Sequence, residues 1–243
     1  MTRKISALLT LFCLLSPLAA NASLYFSGFY TTLGLGGTWV KGKHKFTDPN
    51  GDVGQAKLNT INMAGSLHLG YITEINVSTV MVGGEIYYMI PTYNHKFKLI
   101  PDGGSSEGDA RIHRKSTYGA AFIAGVLLNP KIIVYGKLAF DIAPTEFKYS
   151  NLTFGNKSNI NYKHSYKKFV PGVGFRYAIG DRFHIGAEYD IAVLGRHAVR
   201  SVDNPQYNAS VGIDTKLIEQ RFMITLTYQL TSSVSKAGSP RES

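Results

Sequence analysis

The stretch from Phe169 to Ala192 constrains the fold of this chain more than any other. From Val173 it alternates Val173, Phe175 and Tyr177 with Gly174 and Arg176 and turns through residues 178–182. It then sets Phe183, Ile185, Ala187, Tyr189 and Ile191 between His184, Gly186, Glu188 and Asp190. Successive side chains of a strand point to opposite faces, so this is a hairpin with one continuous apolar face and one face of charged groups and glycines. A water-soluble hairpin would bury the apolar face on a core and wet the polar one. Here aromatics end the apolar face on both sides, and the other face mixes opposite charges with glycine, as a narrow filled interior would. That is the pattern of a small transmembrane β-barrel.

The chain opens with Arg3 and Lys4, an apolar run from Ile5 to Leu18, and Ala20-Asn21-Ala22. A basic start, a short apolar core and an A-x-A site predict a secretory signal peptide over residues 1–22, cleaved before Ser23. The alternative, an uncleaved anchor, is disfavoured because the run is short for a membrane span. Cys13, the one cysteine, leaves with the signal, so the exported chain must hold its fold without disulfides. What remains, residues 23–230 with a short tail over 231–243, shows no linker or composition break and predicts one domain.

Alternating runs recur at Gly28–Trp39, Ile61–Tyr71, Val80–Tyr88, Ile132–Ile142 and Phe222–Tyr228, with a small-residue run at Thr117–Leu128 whose faces are ambiguous. Together with the opening hairpin these make eight strands. Short spacers (72–76, 129–131, 178–182) alternate strictly with long ones (40–59, 91–116, 143–168, 192–220), as expected of turns on the periplasmic side and loops outside. Trp39, Tyr88, Phe169, Tyr189 and Phe222 fall at the outer strand ends, and Phe29, Tyr71, Tyr177, Phe183 and Tyr228 at the inner ends, as two interfacial girdles. A soluble lipocalin-like barrel would have no reason for two aromatic belts. The predicted fold is therefore all-β: an eight-stranded antiparallel up-and-down transmembrane barrel with long extracellular loops.

The runs Gly28–Trp39, Gly83–Tyr88, Tyr135–Asp141 and Val173–Asp190, with the final strand, resemble the small eight-stranded outer-membrane barrels of Gram-negative bacteria. The pattern is similar to the OmpA transmembrane domain, to the OmpX/Ail adhesins and to surface antigens of intracellular proteobacteria. The resemblance implies an outer-membrane location and a monomer. One departure is that such barrels end on an aromatic residue, whereas Tyr228 and Leu230 are followed here by Thr231 to Ser243.

By parity Glu85, Lys137, Asp141, Arg176, His184, Glu188, Asp190 and Arg221 face the lumen. In a low-dielectric interior they are expected to pair, because an unpaired buried charge is costly. A barrel of eight strands is filled by its own side chains, which disfavours a wide pore. Barrels of this size can modify lipids, and Ser66, His68 and Glu85 share the inward face. With the hairpin centred on residues 74 and 75, however, His68 faces Met81 and lies about 14 Å from Glu85 along the strand. That spacing excludes a hydrogen-bonded triad and leaves no catalytic assignment. The histidines of the long spacers lack metal-ligand spacing and no phosphate-binding glycine loop is present, so neither metal nor cofactor is expected.

Removing Arg3 and Lys4 takes the net charge from +10 to +8, and the long spacers carry 17 Lys and Arg against 9 Asp and Glu, again +8. The excess therefore lies in the predicted loops, notably Lys41, Lys43 and Lys45, then Arg111, Arg114 and Lys115, then Lys163, Lys167 and Lys168. Basic loops predict anionic partners: lipopolysaccharide on the same cell, or an anionic glycan or acidic protein of a host. Nucleic acid is not expected of an outward-facing protein. An antigen or adhesin role follows, with a purely structural barrel, a narrow porin-like pore or a lipid-modifying enzyme as alternatives.

Overall fold

In the computed structural model, residues 25–47, 53–75, 79–91, 94–101, 108–114, 116–152, 158–199 and 212–230 are described. The predicted signal peptide (1–22), the tail (231–243) and Lys115 lie outside them. The strands are β1 Gly28–Thr47, β2 Val53–Glu74, β3 Val80–Pro91, β4 Asn94–Pro101, β5 Gly108–Arg114, β6 Thr117–Asn129, β7 Ile132–Leu152, β8 Ser158–Ala178, β9 Phe183–Val199 and β10 Gly212–Gln229.

Each strand runs antiparallel to its neighbours, and β1 pairs with both β2 and β10, which closes the sheet into a barrel and removes its edges. β4 continues the position of β3 in the wall, and β5 that of β6, since β7 pairs with both β5 and β6 and β2 with both β3 and β4. The wall thus has eight strand positions.

Between two girdles the outward face is apolar. Phe29, Leu33, Leu35 and Trp39 on β1 are exposed, as are Ile61, Met63, Leu67, Leu69 and Tyr71 on β2 and Phe169, Val173, Phe175 and Tyr177 on β8. Aromatic contacts join neighbouring strands at both levels: Phe29 with Tyr71 (4.8 Å) and Phe183 with Tyr228 (5.0 Å) at the inner end, and Phe140 with Phe169 (5.4 Å) at the outer. Hydrocarbon around this belt satisfies side chains that water would not.

The long spacers are mostly strand rather than loop. β1 runs on past Trp39 to Thr47, β2 begins at Val53, β7 extends to Leu152 and β8 begins at Ser158. The polarity of the wall inverts where it leaves the membrane. Above Trp39, Val40, Leu58, Ile112, Phe147 and Leu217 point inward and are buried, while Lys41, Lys43, Lys45, Lys57, Lys163 and Lys167 are exposed outside. Backbone pairing continues in water because the interior remains apolar. The outward alternation of apolar residues simply stops.

Two details of register depart from expectation. The β2–β3 hairpin pairs His68 with Tyr87 and Gly70 with Glu85, so its centre lies between residues 77 and 78. Against β7 the register slips between β5 and β6: Arg114 pairs with Thr145 and Tyr118 with Ile142, four steps set against three. The inserted residue acts as a bulge and exchanges inward and outward parity between β6 and β5.

Three inward tyrosines lie across from glycines on the next strand: Tyr30 from Gly70, Tyr87 from Gly119 and Tyr135 from Gly174. A Cβ at Gly174 would stand 2.6 Å from the Tyr135 ring, and one at Gly119 2.7 Å from the Tyr87 ring. The missing side chains let the rings lie flat on the wall and carry their hydroxyls inward, as aromatic cover of strand glycines does elsewhere. We expect Gly174→Ala to cost roughly 1–3 kcal/mol by overpacking. Gly84→Ala, where the added carbon meets only a backbone oxygen at 3.5 Å, should be near neutral. Urea unfolding of the refolded barrel in micelles measures both.

Candidate functional site

The lumen is built in layers. At the periplasmic end Phe26, Ile72, Met81, Ile123, Leu127 and Ile133 form an apolar floor around the lower parts of Tyr30 and Tyr135. His184 packs beside it, 4.8 Å from the Phe26 ring.

The first charged layer sits on that floor. Glu85 accepts from the Tyr30 hydroxyl at 3.0 Å and lies 3.0 Å from His68 Nδ1, 3.6 Å from Arg176 and 3.8 Å from Lys137. Glu188 accepts from Tyr135 at 2.6 Å and from Lys137 at 2.5 Å, with Arg176 at 3.7 Å, while Asp190 lies 3.4 Å from Lys137. The Arg176 guanidinium is sandwiched between the rings of Tyr30 (4.4 Å) and Tyr135 (5.1 Å). Two tyrosines thus hold an arginine over two glutamates, and desolvation strengthens each contact.

Above it, small and flexible apolar groups intervene: Ala64, Met89 and Met223 on one side, Ala121, Ala139, Val170 and Ala192 on the other. The second charged layer follows. Asp141 accepts from Arg221 at 2.6 Å and from the Tyr87 hydroxyl, with Lys168 at 3.8 Å. Glu219 accepts from Arg221 at 3.0 Å, from Lys168 at 3.1 Å and from Arg114, which also donates to Thr117 at 3.0 Å.

Arg114 and Lys168, expected on the outer surface, are therefore lumenal, each 5% exposed. The residue inserted between Arg114 and Tyr118 relative to β7 turns Arg114 inward. Lys168 shares the even parity of Val170, Gly174 and Arg176 along β8. Glu219, which falls in a predicted spacer, is fully buried and two residues from Arg221 on the same face, a signal that parity already carries. The first layer holds three carboxylates and two cations, the second two carboxylates and three cations, so among the described residues these two layers balance at five against five.

The revised hairpin register also brings Ser66, His68 and Glu85 together. Ser66 Oγ is 2.9 Å from His68 Nε2, and His68 Nδ1 is 3.0 Å from Glu85, in place of the expected 14 Å separation. The three side chains are thus in hydrogen-bond contact, contrary to the expected spacing. What the surroundings show is a packed network: Ser66 Oγ lies where a Gly34 Cβ would stand, at 2.3 Å, and Glu85 is shared among His68, Tyr30, Lys137 and Arg176. His68, Glu85 and Glu188 present donor atoms within 4.8 Å of one another. The cation lodged among these donors is the Lys137 ammonium.

Outside, Lys41, Lys43, Lys45, Lys163 and Lys167 are exposed on the extracellular part of the wall, with Arg111 half-buried. Lys96 and Lys98 on β4, Lys57 on β2, Lys148 on β7 and Lys216 on β10 are exposed as well. Above the membrane, inside the rim, His44 Nδ1 lies 2.7 Å from Thr215 Oγ1, and burial lowers its pKa to about 4, with Asp214 acting weakly in the opposite sense.

A closed antiparallel wall with an apolar belt between two aromatic girdles and a charge-balanced lumen defines an integral outer-membrane β-barrel. The chain belongs to the outer membrane protein beta-barrel domain family, whose profile matches residues 5–214. Its place is the outer membrane of a Gram-negative bacterium. Among solved structures it is similar to the outer membrane protease OmpT of Escherichia coli, at 9% identity over 83% of this chain and 96% of that one, with a TM-score of 0.52. It is also similar to Neisserial surface protein A, at 14% identity over 84% and 98% of the two chains and a TM-score of 0.42. For Ail of Yersinia pestis, solved with the heparin analogue sucrose octasulfate, the values are 15%, 81%, 99% and 0.35. At these identities the likeness concerns fold. No curated protein sequence matches the chain significantly.

Removing one member of a lumenal pair should be far more costly than removing Ser66. We expect Glu188→Gln or Arg221→Met to lower stability by roughly 3–5 kcal/mol, the cost of leaving a buried charge alone. Ser66→Ala should leave unfolding and the acylation pattern of membrane lipids unchanged, as read by urea titration and lipid mass spectrometry. A second expectation concerns the rim. An opened rim protonates His44 near 6.5 and the closed rim only near 4, so the closed form loses stability as pH falls through that window. Hydrogen exchange of β1 and β10 above Trp39 should quicken between pH 7 and 4.5, and His44→Gln should flatten the dependence.

Proposed function

We propose that the protein is a surface antigen or adhesin whose extracellular wall binds polyanions, an anionic host glycan or acidic host protein being the partner class. The observation that carries this reading is the division of charge. The carboxylates and cations of the two lumenal layers cancel, so among the described residues the excess positive charge stands outside the lumen. The lumen is committed to packing and ion pairs, and the belt to lipid. The wall above the outer girdle is then the surface left for recognition, and its cations stand on paired strands rather than on free loops, so binding immobilises little backbone. Export through a cleaved signal over 1–22 and a monomeric barrel complete the reading, with lipopolysaccharide as a same-cell partner.

Replacing Arg111, Lys163 and Lys167 by Gln should lower attachment to heparin-coated surfaces severalfold, with normal surface display. The attachment of the parent protein should itself weaken as salt rises from 0.05 to 0.5 M, since exposed charges are screened beyond about 8 Å at physiological strength. Attachment that ignores both the replacements and the salt would refute the polyanion reading. Replacing Arg114 and Lys168 instead should damage assembly, because these two cations hold Glu219.

A further inference from the structure

Three lysines form an unbroken row across the outer face of the wall. In the sheet register Lys216 of β10 stands opposite Lys43 of β1, and Lys43 opposite Lys57 of β2. All three side chains are exposed. Directly opposed residues of an antiparallel pair have Cα atoms about 4.5–5.5 Å apart. That is inside the roughly 8 Å over which salt screens exposed charges, so Lys43 and the lysine on either side of it repel each other. Among the described residues no carboxylate forms an ion pair with any of them. Asp214, on the same face of β10, stands opposite Lys45 instead. Inside the barrel opposite charges are grouped with opposite charges. This outward row of like charge calls for an anion from elsewhere.

Its height says which anion. One step below the row, the Lys41 ammonium lies 3.6 Å over the Trp39 ring, whose Nε1 donates to Asn59 Oδ1 at 2.7 Å. Below these begins the lipid-facing surface of the same three strands, with Leu35, Ile61, Met63, Phe222 and Ile224 exposed and Ile61 at 75%. Lys43 is four residues beyond Trp39, about 13 Å along the strand and about 10 Å along the membrane normal at a tilt near 40°. The headgroup zone outside the hydrocarbon is roughly 5–7 Å thick on each side. Lys41 therefore lies within that zone and the backbone of the row a few ångströms beyond it, within a lysine side chain's reach of the headgroups that stand over the acyl-chain surface.

We propose that Lys43, Lys57 and Lys216, with Lys41 held over Trp39, form a clamp for phosphate on the head of an outer-leaflet lipid. The phosphate oxygens accept from the row while the acyl chains of the same molecule lie on the apolar belt below. A soluble polyanion would make use of the cations but not of their continuity with that belt. The clamp rests on the lipopolysaccharide partner of the proposed function and gives it a site, whereas the adhesive reading rests on the whole basic wall and can fail without it.

Trp39 is the only tryptophan of the chain and reports on the site directly. Refolded barrel in uncharged micelles is titrated with bisphosphorylated lipid A while Trp39 fluorescence is followed. We expect a saturable change, an apparent affinity at least tenfold weaker in the triple variant Lys43→Gln, Lys57→Gln, Lys216→Gln, and no loss on replacing Lys163 and Lys167. Heat-modifiable migration checks folding; should the triple variant not fold, Lys43→Gln alone removes the middle of the row and should weaken binding measurably. Dephosphorylated lipid A and millimolar inorganic phosphate should give no saturable change. Equal binding by the row variants or by dephosphorylated lipid, or a loss confined to the Lys163/Lys167 variant, would overturn the clamp. Equal saturation by free phosphate or by soluble heparin would overturn its assignment to a lipid head.

Discussion

The constraint on which the rest of the structure depends is charge neutrality inside a narrow wall. A barrel of eight strand positions leaves little room for water, so each cation in the lumen must find carboxylate oxygens at hydrogen-bond range or remain at great cost. The two charged layers meet this requirement differently. In the lower one, tyrosine rings hold Arg176 from both sides while their hydroxyls donate to the same glutamates that the arginine faces. In the upper one, Glu219 alone receives Arg114, Lys168 and Arg221. These contacts tie together strands remote in sequence, so closure of the sheet and neutralisation of the lumen stabilise one another.

Glycine makes the first arrangement geometrically feasible. Tyr30, Tyr87 and Tyr135 reach inward carboxylates only because Gly70, Gly119 and Gly174 leave the wall bare beside them. Sequence, packing and electrostatics are linked at these positions: a residue without a side chain on one strand determines where a hydroxyl on the next can donate.

Outside the membrane the same wall obeys the opposite solvent rule. Below Trp39 apolar groups face outward into lipid; above it they turn inward and lysines face water. The backbone ladder is indifferent to this change, since its hydrogen bonds run strand to strand in either medium. The result is a rigid basic surface standing directly on an apolar one. Recognition of anions, whether of a lipid head or of another cell, falls on that part of the wall because lumen and belt are already committed.

Much of this was legible in the chain itself. Period-two alternation from Val173 to Ile191 placed Arg176, Glu188 and Asp190 on one face because strand geometry admits only two faces, and the aromatics at strand ends marked the girdles because their rings suit an interface. The same parity, carried beyond the aromatics, would have placed Lys168 and Glu219 inside. It was stopped at Trp39 and Phe169 because the apolar signal changes face there, and strand in water then resembles loop. Arg114 was beyond reach of parity altogether, since a residue is inserted between Arg114 and Tyr118 relative to β7 and no alternation announces it. Nor could the sequence place Ser66, His68 and Glu85 in contact, because hairpin register depends on turn length, and a shift of the centre from 74–75 to 77–78 moves His68 from Met81 to Tyr87. The chain alone thus determined the membrane-spanning class, the two faces and the excess of positive charge, all set by local periodicity and composition. Tertiary structure decided which charges meet and which stay outside, because those depend on register between strands and on a single inserted residue, and neither is written in any one strand.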